Sequence, residues 1–390
     1  MVKVLVVSNL YPNAEQAYHG IFTENRLRHL LKDADDIEIQ VISPIASFPL
    51  KSFSAGPYAH LRKVPKQELR YDIKVHYPRY INIPKIGMKR QPVAMAKALI
   101  RQAQRIKNDG FDFDIIDCYY FYPDGVAASI LAQHFEKPLL ITAYGNDISL
   151  IPQNPFAAEQ MVKASHQAVA SSAVCQALKD EMVNLGMDEN KVFSILHGVD
   201  LELFRPSEDR TALREKLCIS GKTLLSVGHL IERKGFEYSI EALCELHDCK
   251  LLIAGDGPDR VALQRHAERL GVHTRVKFLG RLPQAELSEY FKAVDAFVLM
   301  SSREGIPNVL MESIACGTPV VASAVWGIPE VLTEEAGVLV HERSATALAK
   351  AVEQLFQNPP QRVREYAENF TWTKTSDQHR SLYDLCLQRA

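Results

Sequence analysis

SSREGIPNVLMESIACGTPVVAS, residues 301–323, decides how the chain is read. The apolar run DAFVLMS (295–301) leads into it as a buried strand, and a short loop follows at 302–306. Pro307 suits the first helical turn, where a missing N–H costs nothing. Gly317 suits the helix end and Pro319 the stretch after it. PVVAS (319–323) is again apolar and strand-like. Strand, helix and strand in succession predict a crossover within a parallel sheet covered on both faces.

The pattern recurs outward in both directions. In the second half, TLLSVG (223–228), KLLIAG (250–255), RVKFLG (275–280) and GVLV (337–340) are apolar runs. Helical patterns fit 235–247, 258–270, 283–293, 307–316 and 344–357. In the first half the runs are VKVLVVS (2–8), EIQVIS (38–43), FDIIDC (113–118), PLLITA (138–143), QAVASS (167–172) and KVFSIL (191–196). Helical patterns at 21–32, 91–107, 124–135 and 174–185 separate most of them. No short repeat is present, which excludes a solenoid.

The chain has 390 residues, 47% of them hydrophobic. Single cores stop growing near ~250–300 residues, so two domains are expected. The predicted division is 1–197, a linker at 198–210 rich in turn residues and charge, 211–358, and C-terminal helices at 359–390 placed to cross back to the first domain. Residues 44–90 read as irregular and rich in Pro, Tyr and Lys. The fold class is therefore α/β, with two doubly wound Rossmann-like domains and a cleft between the carboxyl ends of their strands, where ligands bind.

Net charge is −2, so bulk charge points to no nucleic-acid partner. The seven cysteines include no Cys-x-x-Cys pair and fit reduced thiols, hence a cytoplasmic setting. Neither a spanning helix nor a signal-peptide pattern is legible, so any membrane role is expected to be peripheral. Charge is uneven, however: Lys51 to Lys107 holds 14 Lys and Arg against Glu68 and Asp72. Within it, Lys97, Arg101 and Arg105 share one face of a helix, and Met95, Leu99 and Ile106 lie on another. One reading is docking to an anionic membrane at the inner face of the cell; the plainer one is a surface helix with its apolar side in the core.

The helix after Pro307 turns its N–H groups near 308–310 (Asn308, Val309, Leu310) towards the cleft, where they suit a diphosphate. Glu304 precedes the helix and Glu312 lies about one turn inside it. Carboxylates accepting from hydroxyls are worth ~1.5–3 kcal/mol each. The plainer alternative is that Glu304 only favours the helix dipole and Glu312 is solvated.

E-GIPNVLM-E, followed by ACGTPVVAS and GIPE, resembles the Glu-x7-Glu motif of the retaining GT-B glycosyltransferases of family 4. LLSVGHLIERKGFEYSIEA, IAGDGP (253–258), FLGRLPQAEL (278–287), LHGVDLELFRP (196–206) and the loop with Gly20 match as well. DCYYFYPDGVAA and ITAYGNDI are similar to bacterial polysaccharide-pathway members. The resemblance implies an enzyme that moves a sugar from a nucleotide-sugar donor, bound by the second domain, to a glycan or lipid-linked acceptor, bound by the first. It implies that Glu304 holds donor-sugar hydroxyls, Glu312 the ribose, and that Lys234 neutralises the diphosphate. Gly20 would let backbone approach the diphosphate, with a simple turn glycine as the alternative. The resemblance implies base contacts near Arg281 and Leu282.

Two positions depart from the family. His229 stands where a phosphate-binding Arg is usual, and imidazole is a weaker, pH-sensitive partner; Arg233 is placed to compensate. Tyr144 stands where many members have His, and it remains able to hydrogen-bond a sugar. Asp147 takes part of that role or acts as a helix N-cap.

Metal is not expected: the resemblance implies independence of it, and Asp112-x-Asp114 lies at a strand start, where turn and edge roles are plainer. GKT at 221–223 lacks the upstream Gly of a Walker A loop, and no Gly-x-Gly-x-x-Gly follows a strand. Two competitors use the same nucleotide site: a nucleotide-sugar 2-epimerase and a non-catalytic nucleotide-sugar-binding protein.

Overall fold

A computed structural model describes residues 1–47, 59–82 and 88–389. Parts of the basic, irregular stretch (48–58 and 83–87) lie outside the described residues. The chain divides into two compact units: Met1–Leu196 with Trp372–Ala390, and His197–Thr371.

Unit 1 contains strands β1 (Val2–Val7), β2 (Ile37–Ile42), β3 (Ile45–Ser47), β4 (Gln67–Arg70), β5 (Ile73–His76), β6 (Arg79–Ile81), β7 (Ile115–Tyr119), β8 (Leu139–Ala143), β9 (Ala170–Ala173) and β10 (Val192–Ser194). Its helices are α1 (Ile21–Asp33), α2 (Gln91–Asn108), α3 (Val126–Phe135), α4 (Asn146–Ser149), α5 (Pro155–Gln167) and α6 (Gln176–Asn184). The main sheet runs β10-β9-β8-β7-β1-β2-β5-β4. It is parallel except for β4, which pairs antiparallel with β5. Every residue of β7 and β8 is buried, as a strand covered on both faces requires.

Unit 2 contains β11 (Lys222–Val227), β12 (Cys249–Ala254), β13 (Val276–Gly280), β14 (Ala296–Leu299), β15 (Val320–Ser323) and β16 (Gly337–Val340). Around them lie α7 (Arg210–Lys216), α8 (Phe236–Glu241), α9 (Arg260–Arg269), α10 (Gln284–Ala293), α11 (Asn308–Ala315), α12 (Ile328–Val331), α13 (Ala345–Gln357) and α14 (Val363–Ala367). All pairings are parallel, in the order β13-β12-β11-β14-β15-β16. That is the doubly wound order, and it reverses between β11 and β14.

The structure differs from the sequence expectations in three places. The irregular stretch 44–90 contains β3 to β6, including a hairpin whose turn residues Tyr71 and Asp72 both have positive φ. Two-residue hairpin turns of that type normally carry Asn or Gly, so nothing in the sequence marked it. Residues 198–210 pack into unit 2: Phe204 is buried against Phe291, and Arg364 donates to its carbonyl at 2.9 Å. Pro307 is the residue before α11, and the helix begins at Asn308. On α2, Met95, Leu99 and Ile106 are buried while Lys97, Arg101 and Arg105 are exposed, so its apolar side lies in the core.

The last helix, α15 (Trp372–Gln388), packs in unit 1 against α1. A buried polar cluster fastens it. Asp117 Oδ2 lies 2.8 Å from His379 Nε2 and accepts from Tyr383 OH at 2.7 Å. Arg26 Nη2 meets His379 Nδ1 at 2.9 Å. Arginine can only donate, so Nδ1 accepts and the Nε2–H tautomer faces Asp117. Tyr119 OH lies 3.3 Å from the same Nε2. Burial lowers the His379 pKa below the ordinary imidazole value, against the pull of Asp117. The neutral ring's contribution is present above the ordinary imidazole pKa and is lost as pH falls through the lowered one. His379→Gln keeps one donor and one acceptor without the titration. Between pH 7 and pH 5 the wild-type melting temperature should drop at least ~2 °C further than that of H379Q; differential scanning fluorimetry reads the difference.

Candidate functional site

Where the strand order reverses, the crossovers on either side diverge and leave the carboxyl ends of the two strands uncovered. In unit 2 those ends belong to β11 and β14. After β11 the chain passes Gly228 and His229 into a turn, Glu232–Lys234, closed by Gly235 at φ +67°. A Cβ at Gly235 would lie 2.1 Å from the Met300 carbonyl oxygen, so only glycine brings this turn against the end of β14. The backbone seals the contact, Ser302 N–H donating to Arg233 O at 2.8 Å.

This approach joins Lys234 to Glu304. The ammonium bonds Glu304 Oε1, which also accepts from Ser301 Oγ at 2.7 Å. Arg233 Nη1 stands 3.7 Å from Oε2 and donates to Arg303 O at 2.6 Å. Oε2 accepts no hydrogen bond among the described residues. Glu304 is 8% exposed. Removing one partner of such a pair strands a buried charge, at a cost of about 3–5 kcal/mol. Helix α11 begins four residues later. Its Asn308 and Val309 N–H groups have no acceptor among the described residues, but Leu310 N–H donates to Pro307 O at 3.0 Å. The expected N–H set thus shrinks to two, and the Leu310 side chain lies in the core. At its other end α11 stops as expected of Gly317: Gly317 N–H donates to Ile314 O at 2.9 Å and Thr318 N–H to Ser313 O at 3.0 Å.

Glu312 is set apart from this group. It is buried on α11, and among the described residues its side chain accepts only from Gln284 Nε2 of α10, at 3.3 Å. Burial pushes its pKa up to about 7, with the Gln284 amide opposing. It is thus not solvated. Leu282, half-buried, lies in the loop just before α10. His229 is exposed, with Nδ1 2.7 Å from Asp256 O. A carbonyl can only accept, so Nδ1 is the ring's donor. Sequence reasoning missed Ser301, Gln284 and Asp256. Ser301 could have been suspected from its place three residues before Glu304; the other two are distant in sequence and carry no spacing signal.

The unit 1 candidates serve the fold visibly. A Cβ at Gly20 (φ +69°) would lie 2.1 Å from the Leu10 carbonyl, so the loop itself demands glycine. Tyr144 stacks on Tyr119, meets Phe22 edge-on and accepts from Thr23 Oγ1 at 3.2 Å. Asp147 is fully buried and accepts from the N–H groups of Phe121, Tyr144 and Gly145 at 3.0, 3.1 and 2.7 Å. It sits inside the first turn of α4, with Gly145 in the capping position. Among the described residues no group of three or more His, Cys, Asp or Glu side chains is placed to hold a metal ion, and no helix is long and apolar enough to cross a membrane.

Two Rossmann-like units, with cations and N–H donors at the switch point of one of them, suit an anionic ligand. Comparison with known proteins gives the class. The family of glycosyl transferases group 1 matches residues 209–370, and Glycosyltransferase Family 4 matches 37–203. The D-inositol 3-phosphate glycosyltransferase of Corynebacterium glutamicum is 30% identical over 303 residues, 70% of this chain and 72% of that protein. The putative teichuronic acid biosynthesis glycosyltransferase TuaC of Bacillus subtilis is 28% identical over 360 residues, covering 90% and 88%. The crystal structure of Anabaena HepE in complex with UDP-glucose superposes with a TM-score of 0.74 at 20% identity, covering 98% of this chain and 100% of that one. The chain belongs to the GT-B glycosyltransferases of family 4 type and is a transferase. The relatives' names do not favour the epimerase reading.

The environment of Glu312 has a measurable consequence. A carboxyl whose pKa is raised adds stability that is complete below its unfolded value and is lost as pH rises through the folded one. With a folded value of about 7, carrying the buried carboxylate at pH 8 costs on the order of 3 kcal/mol. Glu312→Gln can still accept from Gln284. The ligand-free E312Q protein should therefore melt above wild type at pH 8, and the gap should narrow steeply by pH 5. An equal gap at both pH values would show that the carboxyl is not desolvated.

Proposed function

We propose that the protein transfers a hexose, with retention, from a nucleotide-sugar donor to a glycan or lipid-linked acceptor in polysaccharide biosynthesis. The reaction proceeds at the cytoplasmic side without a metal, with the protein in peripheral contact with an anionic membrane. The observation carrying this reading is the Lys234–Glu304 pair at the strand reversal of unit 2, followed by the two N–H groups of α11 that have no acceptor among the described residues. The relation to TuaC, named for teichuronic acid biosynthesis, supports the polysaccharide pathway. The complex of HepE with UDP-glucose supports the donor class.

The departing nucleoside diphosphate gains negative charge as the bond from anomeric carbon to phosphate oxygen breaks. Lys234 and the N–H groups of Asn308 and Val309 oppose that charge, and they stabilise the transition state more than the bound donor. Glu304 Oε2 accepts from a sugar hydroxyl, and Glu312 from the ribose. The acceptor hydroxyl attacks on the face the diphosphate leaves, and its proton passes to the leaving phosphate oxygen. No protein nucleophile is required.

A thermal-shift panel of UDP-, GDP- and ADP-sugars tests the donor. One nucleotide class should raise the melting temperature, since a ligand that binds only the folded state stabilises it. Glu304→Gln should lower transfer by at least ~10²-fold while the protein stays folded. Product formed from donor alone, or transfer undiminished in E304Q, would sink the reading.

His229 adds a second test. Its Nδ1 is held by Asp256 O, and the ring stands where a phosphate-binding Arg is usual. A guanidinium offers phosphate oxygens a charge-assisted, bidentate fork, so nucleoside diphosphate affinity should be tighter in His229→Arg than in wild type. Equal affinities by calorimetry at one pH would remove His229 from the phosphate site.

A further inference from the structure

We propose that unit 1 carries a binding pocket for a phosphate group at the corner between β5 and α2. Lys66, Tyr77, Arg79, Arg101, Gln102 and Arg105 surround a cavity of about 250 Å³. Among the described residues no carboxylate lines it. Arg79 is already committed, its guanidinium donating to the carbonyls of Leu61, Arg62 and Val64. Gln102 is tied to His76 Nδ1 at 3.1 Å. The side chains of Lys66, Arg101 and Arg105 have no hydrogen bond or ion pair among the described residues.

Four like charges around one hollow, counting Arg79, repel one another, and solvent relieves this only in part. An anion seated between them converts repulsion into attraction. Arg101 and Arg105 stand one turn apart on α2, on the same exposed face. Two neighbouring guanidinium forks suit the oxygens of a tetrahedral phosphate, with Lys66 adding a point charge from the residue before β4. The platform is firm, because the opposite side of α2 buries Met95, Leu99 and Ile106. The phosphate belongs either to a lipid headgroup or to a soluble phosphate ester. The pocket rests on no part of the donor reading, and only the lipid source touches the membrane contact proposed above.

Inorganic phosphate is titrated calorimetrically into wild type, R101A/R105A and the control K163A/K179A, whose cations lie on α5 and α6. The expected result is a phosphate site at least ~10-fold weaker in R101A/R105A and unchanged in the control. The same proteins are then sedimented with phosphatidylglycerol-containing and phosphatidylcholine-only vesicles. Loss of phosphatidylglycerol-dependent binding in R101A/R105A alone identifies a lipid headgroup as the source. A lost phosphate site with equal vesicle binding identifies a soluble ester. Equal phosphate isotherms in all three proteins overturn the pocket, even where vesicle binding falls, since diffuse surface charge would explain that. Nucleotide-sugar thermal shifts should be the same in R101A/R105A and wild type, which keeps this test separate from the donor site.

Discussion

The ion pair between Lys234 and Glu304 sits where unit 2 is topologically obliged to be open. The parallel sheet reverses its order between β11 and β14, so no crossover covers those two carboxyl ends. Each charge alone would be expensive so deep in the protein. Together, with the Ser301 hydroxyl on the same carboxylate oxygen, they hold each other in place. The contact in turn needs Gly235, since any larger residue would strike the Met300 carbonyl. A backbone requirement, a sheet topology and a charge pair thus converge on one spot, and α11 starts four residues after Glu304 with two N–H groups unbonded among the described residues.

Unit 1 repeats the topology with contrasting chemistry. Its strand order reverses between β1 and β7, and two buried acids, Asp124 and Asp147, follow β7 and β8. Asp124 is fully buried, accepts from Asn9 N–H at 2.6 Å, and has its pKa pushed up to about 8 by burial. Asp147 receives three backbone N–H groups. These carboxyls spend their hydrogen bonds on tying loops to strand ends. In unit 2 the corresponding edge keeps cations and N–H donors. Related scaffolds therefore present different recognition surfaces, which matches the general point that function resides in sites and not in folds.

The strand and helix pattern of both units was legible because parallel strands buried on two faces are continuous apolar runs, and each helix keeps one apolar stripe. The α11 unit was the clearest, with Gly317 ending the helix by the hydrogen bonds its position implies. The hairpin at 67–76 was hidden because its turn uses Tyr71 and Asp72 in place of the usual Asn or Gly. The site was legible where its residues are neighbours in sequence and obscure where they are not. Glu304, Glu312 and Lys234 stood out by motif, whereas the Gln284 contact to Glu312 and the Asp256 contact to His229 join separate loops. The most remote case is His379 on Asp117, across 262 positions. No local pattern encodes such a pairing, since it exists only once α15 docks into unit 1.

The two carboxylates of the Glu-x7-Glu stretch also differ in what a ligand would change. Glu304 already has a cation and a hydroxyl on one oxygen, with a second cation near the other. Glu312 has a single amide and a buried setting that favours its neutral form. Under the proposed function, a sugar hydroxyl at Glu304 joins a set of partners that is already formed. Ribose hydroxyls at Glu312 supply donors that the carboxylate lacks, and so favour loss of its proton. Donor binding would then release a proton at Glu312 while leaving the Lys234–Glu304 contact as built. The seven-residue spacing puts both groups on one loop-and-helix element, but their neighbours give them separate duties.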